Sequence, residues 1–132
     1  MASNITVDTL TKGSTTLNTD EIVDTNSSQV CKAWVNFNGT GTVAINDSYN
    51  VSSITDKGTG WHGINFINSF ADWKYAATVS ARGSTNTGNG HIFIANEDTS
   101  SYASGGFDVR VEVENAYSTV DSPMINAIVF GD

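Results

Sequence analysis

The stretch CKAWVNFNGTGTVAINDSYNVSSITDKGTGWHGINF, residues 31–66, decides the fold class of this chain. Ala33, Val35 and Phe37 alternate with Lys32, Trp34 and Asn36, the period of two that puts alternate side chains on opposite faces of a strand. Asn38-Gly39-Thr40-Gly41 then supplies residues that accept positive φ, and a hairpin turn follows. A second extended run covers 49–55 and is closed by Asp56-Lys57-Gly58-Thr59-Gly60; a third covers 61–67. Strand, glycine turn, strand, glycine turn, strand is the grammar of an antiparallel sheet.

The same residues carry a resemblance. The run 33–45, then 50–60 with Lys57 in place of the usual Asn, then Asn65-Phe66, resembles a module of tailed, especially marine, bacteriophages. That module occurs in tail-fibre-like and short virion surface proteins. The resemblance implies a non-enzymatic structural protein of the virion surface, tail-fibre or receptor-binding in type and contributing to host attachment. It names no active site.

Downstream, 73–81 alternates again, with Trp73, Tyr75, Ala77, Val79 and Ala81 on one face. A short strand is expected at 91–95, between polar loops at 84–90 and 98–106. In 107–114, Phe107, Val109, Val111 and Val113 face inward, while Asp108, Arg110, Glu112 and Glu114 are expected to face water. The run 124–130 is apolar at nearly every position and reads as a central strand covered on both faces, within the fold or at a subunit seam. No segment shows helical spacing over eleven or more residues. The expected architecture is all-β: an antiparallel, jelly-roll-like β-sandwich over 31–132. Residues 1–30 lack that rhythm and read as an extended N-terminal arm for assembly or attachment.

Composition sets the outer limits. The 132 residues suit one domain; 15% are charged, against about 25% in average usage, and Ser, Thr and Asn make up about a third of the chain. Net charge is −8, with six basic residues spread over 12–110, so no basic stripe exists to neutralise phosphates and nucleic acid is not an expected partner. One cysteine, Cys31, precludes an internal disulfide and reads as a small buried apolar residue. No apolar run suits a membrane helix, so no membrane insertion is expected. No signal peptide is evident, and the expected route is synthesis in a host cytoplasm followed by incorporation into a virion.

Chemistry-bearing patterns are sparse. His62 and His91 stand 29 positions apart, outside any metal-ligand spacing, and are expected on the surface or at a seam. The acids form neither a calcium loop nor a defined catalytic pair. The Gly-rich strings at 39–41, 58–60 and 88–90 separate strands, so they are turns and not phosphate cradles. No catalytic residue, metal or cofactor is assigned.

Recognition falls to the aromatics and loops. Tyr102 is expected to be exposed in the Ser-Gly loop as an anchor, with Asn86, Asn89 and Asn96 offering amide hydrogen bonds and loops 84–90 and 98–106 sharing one end of the sandwich. Trp34, Ile125 and Val129 are candidates for a subunit interface, and a homotrimer is the expected assembly, alongside other virion proteins and a host-surface glycan or protein. Two other readings stand beside the fibre-like one: a capsid decoration protein gripping the shell through its arm, and a small carbohydrate-binding, lectin-like module.

Overall fold

Alternation in residues 31–38 becomes strand β3 of the structure, a computed structural model that describes residues 9–12, 15–18, 30–82, 90–95, 102–113 and 118–131. The strands are β1 (Thr9–Lys12), β2 (Thr15–Asn18), β3 (Cys31–Asn38), β4 (Ala44–Tyr49), β5 (Val51–Gly58), β6 (Trp61–Phe66), β7 (Ala76–Ala81), β8 (Gly90–Ala95), β9 (Tyr102–Ala103), β10 (Gly106–Val113), β11 (Ser118–Thr119) and β12 (Ile125–Phe130). Among the described residues there is no helix. The fold is an antiparallel β-sandwich, as the alternation and glycine turns predict.

One sheet has the order β4-β3-β12-β7. The other is built around β10, which is paired along both edges. Along one edge lie β6, against Gly106 to Arg110, and β11, against Glu112 and Val113. Along the other lie β9, against Gly106 and Phe107, and β8, against Asp108 to Val113. Strand β5 extends this sheet beyond β6. The inward residues of both sheets meet in one core: Ala33, Val35 and Phe37 from β3 and Ile125, Ala127 and Val129 from β12 face Ile64, Phe66, Phe107, Val109 and Val111. Burial of a large apolar side chain contributes roughly 1.5–3 kcal/mol, which makes this layer the main source of stability.

The run expected to be continuous over 49–55 contains a corner. Asn50 sits at φ 55° and separates β4, in one sheet, from β5, in the other. Its Nδ2 donates to the carbonyls of Lys32 (3.0 Å) and Asn68 (3.2 Å), and its Oδ1 accepts from Asn68 N at 2.8 Å. Asparagine tolerates left-handed backbone and here also ties the ends of both sheets together. At the opposite end, Gly60 (φ 68°) passes so close to β10 and the 120 region that a Cβ would lie 2.7 Å from Val111 O and from Val120 N.

Residues 68–75 are not strand, so the expected strand from 73 begins only at Ala76. They carry Phe70 and Tyr75 into the core, where both pack on Phe66. Strand β7 holds its expected alternation and turns Ala77, Val79 and Ala81 toward the core. Strand β12 differs from expectation on one side. Ile128 and Phe130 are 42% and 38% exposed, so among the described residues only the inner face is fully covered.

Of residues 1–30, the described strands β1 and β2 pair with each other, from Thr9↔Asn18 to Lys12↔Thr15. That segment of the expected extended arm is therefore a hairpin, with a backbone partner inside its own chain.

Candidate functional site

The outward face of the four-stranded sheet is organised in rows, because each strand contributes every second residue. In one row Tyr49, Trp34, Ile128 and Thr78 lie side by side on β4, β3, β12 and β7. Tyr49 is 56% exposed and Trp34 half-buried; with Ile128 and Phe130 they form an apolar band. The neighbouring row is polar and bonded head to tail. Asn46 Nδ2 donates to Asn36 Oδ1 at 2.7 Å, Asn36 Nδ2 to Asn126 Oδ1 at 2.5 Å, and Asn126 Nδ2 to Ser80 Oγ at 3.2 Å. The amide ladder thus crosses all four strands, each bond polarising the next. These strands carry one cation, Lys32, and one anion, Asp47, so the excess negative charge of the chain resides elsewhere.

The outward face of the other sheet is different in kind. Asp108, expected to face water, is 4% exposed. Lys57 Nζ donates to its Oδ2 at 2.6 Å and Trp61 Nε1 to the same oxygen at 3.1 Å. Lys57 and Arg110 also lie against the Trp61 ring, at 5.3 and 4.9 Å from its centroid. Beside this cluster, Gly63 and Gly106 occupy outward positions without side chains. The resulting hollow of about 180 Å³ is bounded by Lys57, Asn65, Gly105 and Asp108.

At one end of the sandwich the aromatic cluster closes the core. The Tyr75 hydroxyl reaches the carbonyls of Ala103 (2.9 Å) and Gly106 (3.0 Å), and Tyr102 donates its hydroxyl to Tyr75 O at 2.7 Å. Their rings stack with centroids 4.6 Å apart. Burial pushes both phenols above the usual tyrosine range, Tyr75 the further, with Tyr102 beside it adding to the shift.

Several expectations are corrected by these positions. Tyr102 is not an exposed loop anchor: it lies on β9, half-buried, with its hydroxyl committed to the backbone. Ile125 and Val129 are 0% and 1% exposed inside their own core, so they do not line a subunit interface; the outward neighbours Ile128 and Phe130 do the presenting. Trp34 keeps its outward place. Of loops 84–90 and 98–106, expected to share one end of the sandwich, only Gly90 and residues 102–106 lie among the described residues. Asn86, Asn89 and Asn96 lie outside the described residues.

His62 is not on the surface either. It is fully buried, edge-on to Phe37 at 5.5 Å, with neither ring nitrogen hydrogen-bonded among the described residues. Its parity with Ile64 and Phe66 on β6 is the signal that places it inward. Cys31 is half-buried, its Sγ 3.4 Å from Ala33 O.

Among the described residues no group of three or more His, Cys, Asp or Glu side chains is placed to hold a metal ion. Nor is any helix there long and apolar enough to cross a membrane. Comparison with known proteins returned no matching family model, no matching curated protein and no matching solved structure.

Proposed function

We propose that this chain is a non-enzymatic structural protein of a bacteriophage virion surface, of tail-fibre or receptor-binding type, that self-associates through the outward face of its four-stranded sheet. The observation that carries this reading is the band of exposed Tyr49, Ile128 and Phe130 with half-buried Trp34, on a sheet face that is nearly free of charge. Contiguous exposed apolar surface marks interaction sites, and a neutral face lets copies of an acidic chain approach one another. The resemblance of 33–45 and 50–60 to virion modules supplies the setting, and a homotrimer is the proposed assembly.

Light scattering on the recombinant chain tests it. A trimer of about 42 kDa is expected from a chain of 14.0 kDa. The double variant Ile128→Ser/Phe130→Ser should be a folded monomer, because neither side chain belongs to the core. A wild-type chain that stays monomeric at high micromolar concentration would remove the self-association reading.

A capsid decoration protein is the second reading. It is favoured by the β1–β2 hairpin, a separate two-stranded sheet preceding the sandwich, which suits a grip on neighbouring shell subunits. Mass spectrometry of purified particles separates the two, since decoration requires far more copies per particle than a fibre does.

A further inference from the structure

The hollow beside the Lys57–Asp108 pair has no part in the assembly just proposed, and its construction calls for an explanation. Outward positions of a solvent-facing sheet ordinarily carry side chains into water. Here the register sets Thr55, Gly63 and Asp108 in one row across β5, β6 and β10, and Ser53, Asn65, Gly106 and Ala103 in the next. Gly63 has no side chain, and Lys57 crosses above it to the buried Asp108 carboxylate, its Cε 3.4 Å from where a Cβ on Gly63 would stand, so the ion pair forms a wall of the hollow, with Asn65, Gly105 and Gly106 beside it. Both donors to Asp108, Lys57 and Trp61, reach Oδ2; the other oxygen, Oδ1, lies 3.1 Å from where a Cβ on Gly63 would stand. Asn65 Nδ2 is engaged by Ser53 and Thr55, with contacts of 2.9–3.3 Å, so Oδ1 is the atom that side chain offers.

We infer that this hollow is a binding site for a single neutral, polyhydroxylated ring, that is, one sugar residue. Its inner surface offers acceptors, Asp108 Oδ1 and Asn65 Oδ1, to hydroxyl donors, and the Lys57 ammonium as a donor to a hydroxyl or ring oxygen. The Lys57–Asp108 pair sums to zero charge, so a cation meets the ammonium and an anion meets the carboxylate; a neutral ligand meets neither penalty. Size agrees with this class. About 180 Å³, open to solvent on one side, lies below the range of drug-sized pockets and suits one ring with its hydroxyls. Stacking has little part, because Lys57 and Arg110 already lie against the Trp61 ring. Recognition rests on hydrogen bonds, which predicts millimolar affinity for a single residue and a gain on presentation of several sites. The site is independent of self-association.

The test is a titration of the full chain with glucose, galactose, mannose, N-acetylglucosamine, glucosamine and glucuronate, followed in proton–nitrogen correlation spectra. At least one neutral sugar should shift the Gly63, Asn65 and Gly105 amides and the Trp61 indole N–H, saturating with Kd of about 1–10 mM. Glucosamine and glucuronate should bind at least about tenfold more weakly, the scale of one lost charge-assisted hydrogen bond. Asn65→Ala keeps the ion pair and should weaken binding about tenfold; Asp108→Asn should do the same if it folds. No saturating shift with any neutral sugar overturns the proposal. So do shifts that survive Asn65→Ala unchanged, or shifts confined to Trp34 and Ile128 on the other sheet.

Discussion

The two outward faces of this sandwich cover the same core and use opposite means. Over β5, β6 and β10, polar side chains are drawn down onto the protein: Asp108 is buried under Lys57 and Trp61, and Asn65 is bound to Ser53 and Thr55. Over β4, β3, β12 and β7, the polar groups satisfy one another in a single file, and the apolar side chains beside them point outward. On the first face these polar side chains are held by partners in their own chain. The second leaves Tyr49, Ile128 and Phe130 exposed, the band proposed above for self-association. Changes on the first should therefore alter stability, and changes on the second should chiefly alter association.

The largest effect is expected at Gly106. A Cβ there would stand 2.2 Å from Ile64 O, so β10 could not keep its distance from β6. Gly106→Ala should cost about 3 kcal/mol or more in urea unfolding, or prevent folding. Wild-type stability in this variant would show that the close approach of β6 and β10 is dispensable.

Asp108→Ala comes next. It removes the acceptor of Lys57 and of the Trp61 indole, and the expected loss is about 2 kcal/mol, moderated because the Lys57 side chain is 34% exposed. The oligomeric state should not change. A variant that unfolds no more readily than wild type, yet changes its mass in light scattering, would reverse the roles assigned to the two faces.

Alkali gives a third separation. The Tyr75 and Tyr102 phenols are held above the usual range by burial, whereas tyrosines of the unfolded chain ionise near pH 10. Above that pH the unfolded state binds fewer protons than the folded one, so stability falls as pH rises; below it this contribution is fully present. Thermal melts should show no tyrosine-linked change up to about pH 10 and a steep fall beyond it. Tyr75→Phe should flatten that fall, and an equally steep fall in the variant would assign alkaline loss to other groups.

Much of this architecture is legible from parity alone. Phe107, Val109 and Val111 are inward because they alternate, and the turns at 39–41 and 58–60 are where glycine and asparagine put them. What parity cannot supply is the partner of an outward residue. Asp108 reads as solvated because its cation, Lys57, is 51 positions away in sequence, on a strand that is not even its immediate neighbour in the sheet. The corner at Asn50 is hidden for another reason: one residue in left-handed backbone changes the sheet without interrupting a run of strand-forming residues. Tyr102 is misleading in its setting, since Ser and Gly around it suggest a loop while a two-residue strand and its hydroxyl hold it in. For the four-stranded face, Trp34 is visible from its alternation, but Ile125 and Val129 are taken for interface residues because a strand apolar at nearly every position conceals which of its faces is inner.

The smallest effect belongs to the amide ladder. Asn36→Ala breaks two of its three bonds, but in an exposed row where water replaces them, so about 0.5–1 kcal/mol is expected. A double-mutant cycle with Asn126→Ala measures their coupling. Coupling well above 1 kcal/mol would mean that the ladder, and not the core alone, holds the sheet in register.

Strand β12 has a temporal consequence. It is the shared partner of β3 and β7, which do not pair with each other, and its residues follow theirs in the chain by 44 positions or more. The hairpins β3–β4 and β5–β6 can form within microseconds, but contacts so distant in sequence are slow to close. During synthesis, the facing edges of β3 and β7 stay open until residues 125–130 leave the ribosome. Nascent chains paused before that point present two unpaired edges, and these are the species in which β-strand exchange between neighbouring chains on one message would begin.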